Sequence, residues 1–234
     1  MILEKHIVYL YHKQKILNME KLNFISSFYK HNNQYKTWKK YSNKIFGIDK
    51  DISKNEDIES IICTSIDSFN KETYSIKSIV DESRKLSDRF VLLNSDIELS
   101  ENNLVWETIL KIKDCLIIGN RYDYGKTYSD GKINPNGIDF FVIDKNLEIP
   151  DDHKFCIGLC CWDWWLPILA IKQNIPIYKI NQPFIYHKRH AKNWSEQSYH
   201  CMRDHFFKAT GLRDGLQLKQ NILSKCENLI KDGP

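Results

Sequence analysis

The stretch from residue 90 to residue 99 constrains the fold of this chain more than any other. It opens with four consecutive apolar residues, Phe-Val-Leu-Leu, and polarity returns abruptly at Asn94, Ser95 and Asp96. An apolar run without polar alternation is typical of a strand buried on both faces, as in a parallel sheet covered by helices. Because ligands of open α/β sheets bind in the crevice outside the carboxyl ends of the strands, the polar triplet is expected at a binding site.

The Asn-x-Asp spacing after this strand suits a divalent cation. Hard cations take oxygen ligands and usually share them with substrate phosphates, so Asn94 and Asp96 are candidates to hold a metal together with a diphosphate. The alternative is an Asx turn without any ligand, since Asn, Ser and Asp all favour turns. These residues alone leave both interpretations open.

Apolar runs that alternate with helical patterns predict a doubly wound α/β sheet. We expect strands at residues 7–11, 44–48, 58–66, 90–94, 115–118, 137–143, 175–180 and 183–186. We expect helices at residues 19–31, 74–86, 100–112 and 195–210, and a strand, turn and helix over 155–171. A right-handed crossover would make the strands at 58–66 and 90–94 parallel. The prediction is one domain over residues 1–212, with a mostly parallel sheet flanked by helices, and a peripheral charged tail at 213–234.

Residues 122–137 differ in composition from their surroundings. They hold three of the nine glycines, Pro135 and several hydroxyl side chains, a mixture that favours loops. Long loops in compact domains often cover a site. We therefore expect this segment to be a mobile lid.

Composition excludes several classes of protein. The chain of 234 residues is long enough to bury a core, and 42% of its residues are hydrophobic, as in folded globular domains. No apolar run approaches the ~18 residues of a membrane span, and the first residues lack a signal-peptide layout, so we expect a cytoplasmic protein without a transmembrane segment. Seven cysteines disfavour a disulfide framework, and the group at residues 153–161 lacks the paired spacing of zinc sites.

The positive charge is concentrated at the start of the chain. Residues 1–50 hold ten lysines and three acidic residues, although the net charge of the whole chain is only +4. Such a surface could meet anionic lipid, nucleic acid or an acidic glycan, but a solvated lysine-rich surface is the simpler interpretation. Residues 1–50 hold no arginine and no recognisable nucleic-acid-binding motif, so we expect no nucleic-acid partner.

A single carboxylate, Asp163, lies among three of the six tryptophans, at positions 162, 164 and 165. Desolvation disfavours the charged form of an acid, so Asp163 is expected to hold its proton more tightly and to suit a general base. The aromatic rings of Trp162 and Trp164 suit the apolar faces of sugars. The alternative is that Asp163 caps a helix whose tryptophans are core residues.

Two histidines, His187 and His190, follow another expected strand within a basic cluster. Histidines three residues apart can ligate a metal or contact phosphate, and the neighbouring Lys188 and Arg189 would neutralise a diphosphate. The alternative is a solvated basic turn.

The order of these motifs resembles that of nucleotide-diphospho-sugar transferases of the GT-A fold, close to family-2-like glycosyltransferases. The resemblance covers roughly residues 58–195. It is carried by Asn94-Ser95-Asp96, Arg121-Tyr122-Asp123, Gly137-Ile138-Asp139-Phe140-Phe141, Ile157-Gly158, Trp162-Asp163-Trp164-Trp165-Leu166, and His187 with His190.

The resemblance implies a single GT-A-like, Rossmann-like domain that transfers a sugar from a nucleotide-diphosphate sugar to a hydroxyl acceptor, with inversion. It implies that Asp96 and His187 hold Mn²⁺ or Mg²⁺, and that Asp163 removes the acceptor's proton. The implied substrate contacts are Asn94, Ser95, Arg121, Asp139, Trp162, Trp164 and His190. The chain departs from the pattern at Asn94, which replaces the first acid of the metal motif, and in its first strand, which lacks the usual proline-containing opening.

Two other functions share parts of this pattern. A sugar-nucleotide pyrophosphorylase should open with a glycine-rich phosphate loop, whereas the first glycine here is Gly47. A degenerate transferase that binds carbohydrate or nucleotide without turnover would keep the aromatic cleft, and Asn94 supports that alternative.

Overall fold

The computed structural model describes residues 21–28, 33–48, 56–68, 71–151, 154–190, 195–212 and 215–230. The strand expected at 7–11 lies outside these residues. The described strands are β1 (Leu22–Ser26), β2 (Ser42–Gly47), β3 (Glu59–Ser60), β4 (Ser65–Ser68), β5 (Lys71–Ser75), β6 (Arg89–Leu93), β7 (Ile97–Leu99), β8 (Leu116–Tyr124), β9 (Lys132–Asp144), β10 (Cys156–Ile157), β11 (Ile177–Ile180), β12 (Ile185–Lys188) and β13 (Cys226–Asn228). The described α-helices are α1 (Ile76–Arg84), α2 (Asn103–Lys111), α3 (Trp162–Lys172), α4 (Glu196–Thr210) and α5 (Gly215–Lys225). None of these helices is long and apolar enough to cross a membrane.

The centre of the described structure is a mixed sheet with the strand order β13-β11-β8-β9-β6-β1-β2-β3. The strands from β6 to β3 are mutually parallel, as are β8, β11 and β13, and β9 runs antiparallel between β6 and β8. β12 pairs in parallel with the far end of β8 and antiparallel with β7. A small antiparallel sheet contains β10, β5 and β4. The chain is therefore an α/β protein with a mostly parallel central sheet flanked by helices, compatible with a Rossmann-like fold.

Strand β6 is buried on both faces, as the sequence predicts. Phe90 and Leu92 pack into one apolar cluster, together with residues of α1, α3 and α4, while Val91 and Leu93 pack into a second cluster on the opposite face with α2. All four side chains are fully buried. The strand therefore joins the two halves of the core.

Most of the expected elements from residue 74 onward are present. α1, α3, α4, β11 and β12 match the predicted positions within a few residues, as does β2 earlier in the chain, and β8 begins as predicted but extends to Tyr124. Helix α2 begins at Asn103, three residues after the expected start, because Asn102 caps it: the Asn102 side-chain oxygen accepts a hydrogen bond from the Val105 amide at 3.2 Å.

The helix expected at 19–31 is wrong over its central part, where Leu22–Ser26 forms β1 in the middle of the parallel sheet. Its five residues are all buried, with Phe24 in one core cluster and Ile25 in the other. Short apolar runs do not distinguish a buried strand from a buried helix, and burial on both faces decides for the strand here.

The core strand expected at 58–66 is also wrong. Residues 59–60 form a two-residue strand that runs in the same direction as β6, with β1 and β2 between them, and Ser65–Ser68 belongs to the other sheet. Ile62 is 89% exposed. A β-branched run at the edge of a sheet has no second layer to bury it. Its apolar composition therefore predicts a core strand where the structure has an exposed edge.

The expected lid at 122–137 is instead the distal part of a hairpin, because β8 continues to Tyr124 and β9 begins at Lys132. A 3₁₀ turn at Tyr128–Asp130 joins them. The hydroxyls of Tyr124 and Tyr128 both donate to Glu98, which fastens the hairpin tip to β7. The glycines and polar residues that indicate a loop lie in the tip and in an irregular part of β9.

The segment expected as a peripheral tail contributes to the fold. Within residues 213–234, α5 is followed by β13, which pairs in parallel with β11 at the edge of the central sheet. Ile222 and Leu229 are buried. Charged and polar residues interrupt the apolar positions of this segment, so its short apolar periodicity is hard to recognise in the sequence.

Truncation of Leu92 should strongly destabilise the fold. We expect Leu92→Ala to lower the free energy of unfolding by about 2–5 kcal/mol, because it leaves a cavity in the core. The matched control is Leu104→Ala in α2, where the side chain is 62% exposed and the expected change is within about 0.5 kcal/mol. Urea unfolding of both variants measures the difference, and equal losses would contradict the described core.

Candidate functional site

Polar side chains gather at one edge of the central sheet, beyond the carboxyl ends of β6, β8 and β12. A turn closed by a hydrogen bond from the Ile97 amide to the Asn94 carbonyl, 3.2 Å long, follows β6 and carries Asp96. The parallel pairing of β12 with β8 places His187 directly opposite Asp123. The triplet therefore forms a turn, and this turn places the Asp96 carboxylate beside the histidines.

Asp96, His187 and His190 form a compact cluster that could hold a metal ion. Asp96 Oδ2 lies 2.9 Å from His190 Nε2 and 3.3 Å from His187 Nε2, and the two Nε2 atoms are 3.1 Å apart. His187 is only 5% exposed, whereas His190 is largely exposed. The three donors thus face one another at the boundary between the core and solvent.

The other oxygen of Asp96 provides the test of whether a cation fits. Asp96 Oδ1 is buried and makes no hydrogen bond to any described residue. A buried oxygen without a partner is costly, and a bound cation would satisfy it. Two imidazole nitrogens and one carboxylate are donors that suit a divalent transition metal. The residues present therefore fit such an ion.

The histidines also determine the charge state of Asp96. Burial alone would raise the pKa of this carboxyl, but while His187 and His190 are protonated their hydrogen bonds and charge outweigh burial and lower the pKa to about 2. Asp96 is consequently a carboxylate at any ordinary pH, as a metal ligand must be.

Arg121 holds the groups that surround the cluster. Its Nε donates to Asp123 Oδ1 at 2.8 Å and one terminal nitrogen donates to Asp139 Oδ2 at 2.6 Å. The amide of Asn94 donates to the other oxygen of Asp139, so Asn94 is directed into this network rather than at the metal cluster. Gly137 permits the close packing, because a Cβ there would lie 2.8 Å from Arg121 Nε.

An irregularity in the β8–β9 pairing shapes this edge. Asn120 lies opposite Ile138, whereas Tyr122 lies opposite Ile133, so residues 134–137 bulge out of β9. The amide of Asn120 donates to the carbonyls of Asn134 and Gly137, both at 3.2 Å, and fixes the bulge. Bulges of this kind re-aim side chains and are common beside active sites.

Asp163 lies in the first turn of α3, close to the same network. The indole nitrogen of Trp164 donates to the carbonyl of Asn136 in the bulge, 3.2 Å away, which joins the start of α3 to β9. Burial, and then the charge of Asp139, raise the pKa of Asp163 to about 7, although nearby backbone amides act in the opposite direction. Asp163 can therefore accept or release a proton near neutral pH.

The structure separates the predicted substrate contacts into three kinds. His190 belongs to the metal cluster with the predicted ligands Asp96 and His187. Asn94, Arg121 and Asp139 form the supporting network, and burial raises the pKa of Asp139. Ser95 and Trp164 are partly exposed beside these groups.

Trp162 was predicted to contact substrate, and the structure corrects that prediction. The side chain is only 3% exposed, and its ring packs on Phe141 with centroids 5.3 Å apart. Its place on the inward face of α3 makes it a core residue, as the alternative interpretation of the tryptophans held.

Sequence reasoning gave no role to two residues of this network: Asp123, which it named only as part of a motif, and Asn134. Asp123 accepts hydrogen bonds from Arg121, from His187 and, at 2.8 Å, from the Asn134 amide. The Arg-x-Asp spacing was a usable signal, since alternate residues of a strand share a face. Asn134 gave no such signal, because its place depends on the bulge.

The cysteines do not enlarge the metal cluster. Among the described residues, Cys156 is buried and its thiol points at the Lys154 carbonyl, and Cys160 faces the carbonyls of Ser198 and Tyr199. His153 lies outside the described residues. The described contacts therefore give no zinc arrangement at 154–161.

Comparison of the sequence with known protein-family models and with curated proteins gave no match. The resemblance to GT-A transferases consequently stays a prediction, and the function has to be inferred from the chemistry at this edge of the sheet.

The donor set predicts that Mn²⁺ binds more tightly than Mg²⁺, since imidazole suits transition metals and Mg²⁺ prefers oxygen. We expect Asp96→Asn and His187→Gln each to weaken Mn²⁺ binding at least about tenfold. Mutation of a residue that only hydrogen-bonds to a metal ligand already weakens metal binding by about that factor, and loss of a ligand should weaken it at least as much. Calorimetric titration measures the affinities. His200→Gln, on the exposed face of α4, is the control, and equal losses in all three variants would refute the assignment.

The pKa of Asp163 predicts a pH-dependent stability. A folded-state pKa of about 7 lies above the unfolded value near 3.9, so the carboxyl is neutral in both states at low pH and lowers stability as pH rises through this window. We expect the stability gain of metal-free Asp163→Asn over the parent to grow between about pH 4 and pH 7, to at most about 4 kcal/mol, and then to level off. Urea unfolding at several pH values tests this.

The control for this measurement is Asp88→Asn, which removes an exposed carboxylate. A gain for Asp163→Asn that does not exceed the control's at any pH would show that the Asp163 carboxyl is not held in its neutral form by the fold.

Proposed function

We propose that this protein is a GT-A-like, metal-dependent glycosyltransferase that moves a sugar from a nucleotide-diphosphate sugar to a hydroxyl acceptor with inversion. The observation that carries the proposal is the placement of two different chemistries at one edge of the sheet. A carboxylate-imidazole cluster suited to a divalent cation and an acid with a pKa near neutrality both border the network of Arg121 and Asp139. The α/β fold is compatible with such an enzyme, since ligands of open α/β sheets bind outside the carboxyl ends of the strands.

The cluster suits the diphosphate of the donor substrate. Asp96, His187 and His190 would hold the ion, and the ion would supply positive charge that stabilises the departing diphosphate. His190 is exposed enough for the cluster to be reached from solvent. Lys188 and Arg189 adjoin the histidines and add positive charge for an anionic ligand.

The replacement of the first acid of the metal motif is compensated elsewhere. Asn94 donates to Asp139 and thereby leaves the cluster with one carboxylate rather than two. His190 supplies the third donor atom, 2.9 Å from Asp96 Oδ2. A metal site can therefore form without the missing acid, which weakens the case for a degenerate protein.

Asp163 suits the acceptor side of the reaction. Its carboxylate would take the proton of the acceptor hydroxyl while the oxygen forms a bond to the anomeric carbon and the bond from that carbon to the diphosphate oxygen breaks. One displacement accounts for all the atoms and needs no covalent enzyme intermediate. A base with a pKa near the working pH is efficient in such a step. The partly exposed ring of Trp164, the next residue, suits the apolar face of a sugar.

A second candidate is a carbohydrate- or nucleotide-binding module without turnover. The observation that favours it is that Asn94, Arg121 and Asp139 bond to one another, and so have fewer hydrogen-bonding groups left for a substrate. Both candidates predict ligand binding, and only the transferase predicts turnover that depends on Asp163.

Thermal shift with UDP-, GDP- and dTDP-sugars, each with and without Mn²⁺, is the first experiment. One nucleotide class should stabilise the fold by about 2–3 kcal/mol at a hundredfold excess over its dissociation constant, and only with Mn²⁺. CMP-sugars, which lack the diphosphate, serve as the control ligand. The absence of a shift with every diphosphate sugar would contradict the proposal.

Variants then separate binding from turnover. Asp163→Asn should keep the metal-dependent shift and reduce sugar release or transfer about 10²-fold, the contribution typical of a general base. Asp96→Asn should lose both the metal-dependent thermal shift and the turnover, and Asp88→Asn should keep both. Ligand binding by a parent protein that shows no turnover with any acceptor or water would favour the binding module.

A further inference from the structure

We propose that Asp123 is a positioning residue that fixes the tautomer of His187 and so presents an unprotonated Nε2 to the metal cluster. The inference deepens the proposed function, because it concerns how the cluster of Asp96, His187 and His190 is prepared for its ion. Among its described contacts, Asp123 reaches the metal cluster only through the ring of His187.

The hydrogen bond between Asp123 and His187 determines where the proton lies. Asp123 Oδ1 is 3.0 Å from His187 Nδ1, and a carboxylate can only accept, so Nδ1 must donate. In a neutral imidazole the other nitrogen then carries a lone pair. That nitrogen, Nε2, is the atom that lies 3.3 Å from Asp96 Oδ2 and 3.1 Å from His190 Nε2. The lone pair therefore points to where the ion would be held.

Asp123 is itself held in place from three directions, two at its carboxylate and one at its backbone carbonyl. Arg121 Nε donates to Oδ1 at 2.8 Å and the Asn134 amide donates to Oδ2 at 2.8 Å. A terminal nitrogen of Arg189 donates to the Asp123 backbone carbonyl at 3.2 Å. These contacts come from β8, from the bulge of β9 and from the residues after β12, so the orientation of His187 is set before an ion binds.

The backbone makes this contact part of the sheet. Asp123 and His187 are register partners in the parallel pairing of β8 with β12, so their side chains emerge side by side. The partner of a metal-bound histidine is ordinarily a carboxylate or a carbonyl in this position, which fixes ring and tautomer together. If Asp123 were only the counter-ion of Arg121, the Nδ1 contact would have no effect on the metal.

The matched control is Asp130, a second acceptor in the same hairpin. Its carboxylate accepts hydrogen bonds from the backbone amides of Gly125 and Lys126 at 3.2 and 3.0 Å, and none of its described hydrogen bonds reaches His187. Asp123→Ala and Asp130→Ala therefore make the same chemical change in one hairpin, and only the first removes the acceptor of the histidine.

The first readout is the tautomer of His187 in the metal-free protein, from ¹⁵N NMR at about pH 8, where imidazoles are ordinarily neutral. The His187 signals are assigned by their loss in His187→Gln. We expect the parent and Asp130→Ala to show the Nδ1–H form, and Asp123→Ala to shift toward the Nε2–H form. An unchanged tautomer in Asp123→Ala would overturn the proposal.

The second readout is calorimetric titration with Mn²⁺ alone. We expect Asp123→Ala to bind Mn²⁺ about 10–100-fold more weakly than the parent, and Asp130→Ala to bind like the parent. Parental affinity in Asp123→Ala would leave Asp123 as a counter-ion of Arg121 and overturn the proposal. Should Asp123→Ala not fold, Asp123→Asn takes its place; it retains an acceptor without the charge, and smaller shifts in the same directions are expected.

The two readouts separate this inference from the proposed function. A parent that binds no Mn²⁺, but whose His187 tautomer depends on Asp123, supports the positioning role and counts against a metal-dependent transferase. If the parent binds Mn²⁺ but its His187 tautomer does not depend on Asp123, the result supports a metal-dependent protein and overturns the positioning role.

Discussion

The candidate site depends on one partly buried cation. The guanidinium of Arg121 lies between Asp123 and Asp139, and its loss would leave two largely buried carboxylates without their cation. Each carboxylate in turn accepts a hydrogen bond from another residue of the site: Asp139 from Asn94, which follows β6, and Asp123 from His187 in β12. Through Arg121, side chains from strands β6, β8, β9 and β12 therefore take up a single arrangement.

The antiparallel strand β9 explains why these groups meet. It separates the two parallel parts of the sheet, and its hairpin with β8 extends both strands past the carboxyl ends of their neighbours. The bulge at 134–137 then gives the site two further contacts. Asn134 turns toward Asp123, and the carbonyl of Asn136 receives the indole of Trp164, so the helix that carries Asp163 is joined to the strand that carries Asp139.

The sequence predicted those features that depend on local pattern and failed where tertiary context decides. Burial of β6 on both faces follows from an uninterrupted apolar run, and the raised pKa of Asp163 follows from apolar neighbours. Asp96 and His190 follow their strands as expected, whereas His187 lies within β12. In contrast, β1 has a periodicity that fits either a helix or a strand, and the bulge of β9 consists of residues that indicate a loop. The assignment of Trp162 to the core depends on which face of α3 points inward, and its near-continuous apolar sequence does not reveal that.

The exchange of an acid for an imidazole has a consequence for both halves of the site. A ligating histidine must be neutral, so acid conditions compete with the metal for His187 and His190 more than they would for a pair of carboxylates. Asp163 must likewise be deprotonated to act as a base, and its pKa is about 7. Metal binding by the histidines and base catalysis by Asp163 would therefore both require that these groups have lost their protons. In the proposed enzyme, metal binding and the action of the base would therefore respond to pH in the same direction, whereas a site with two acids as metal ligands would hold its ion well below the pH at which its base becomes active.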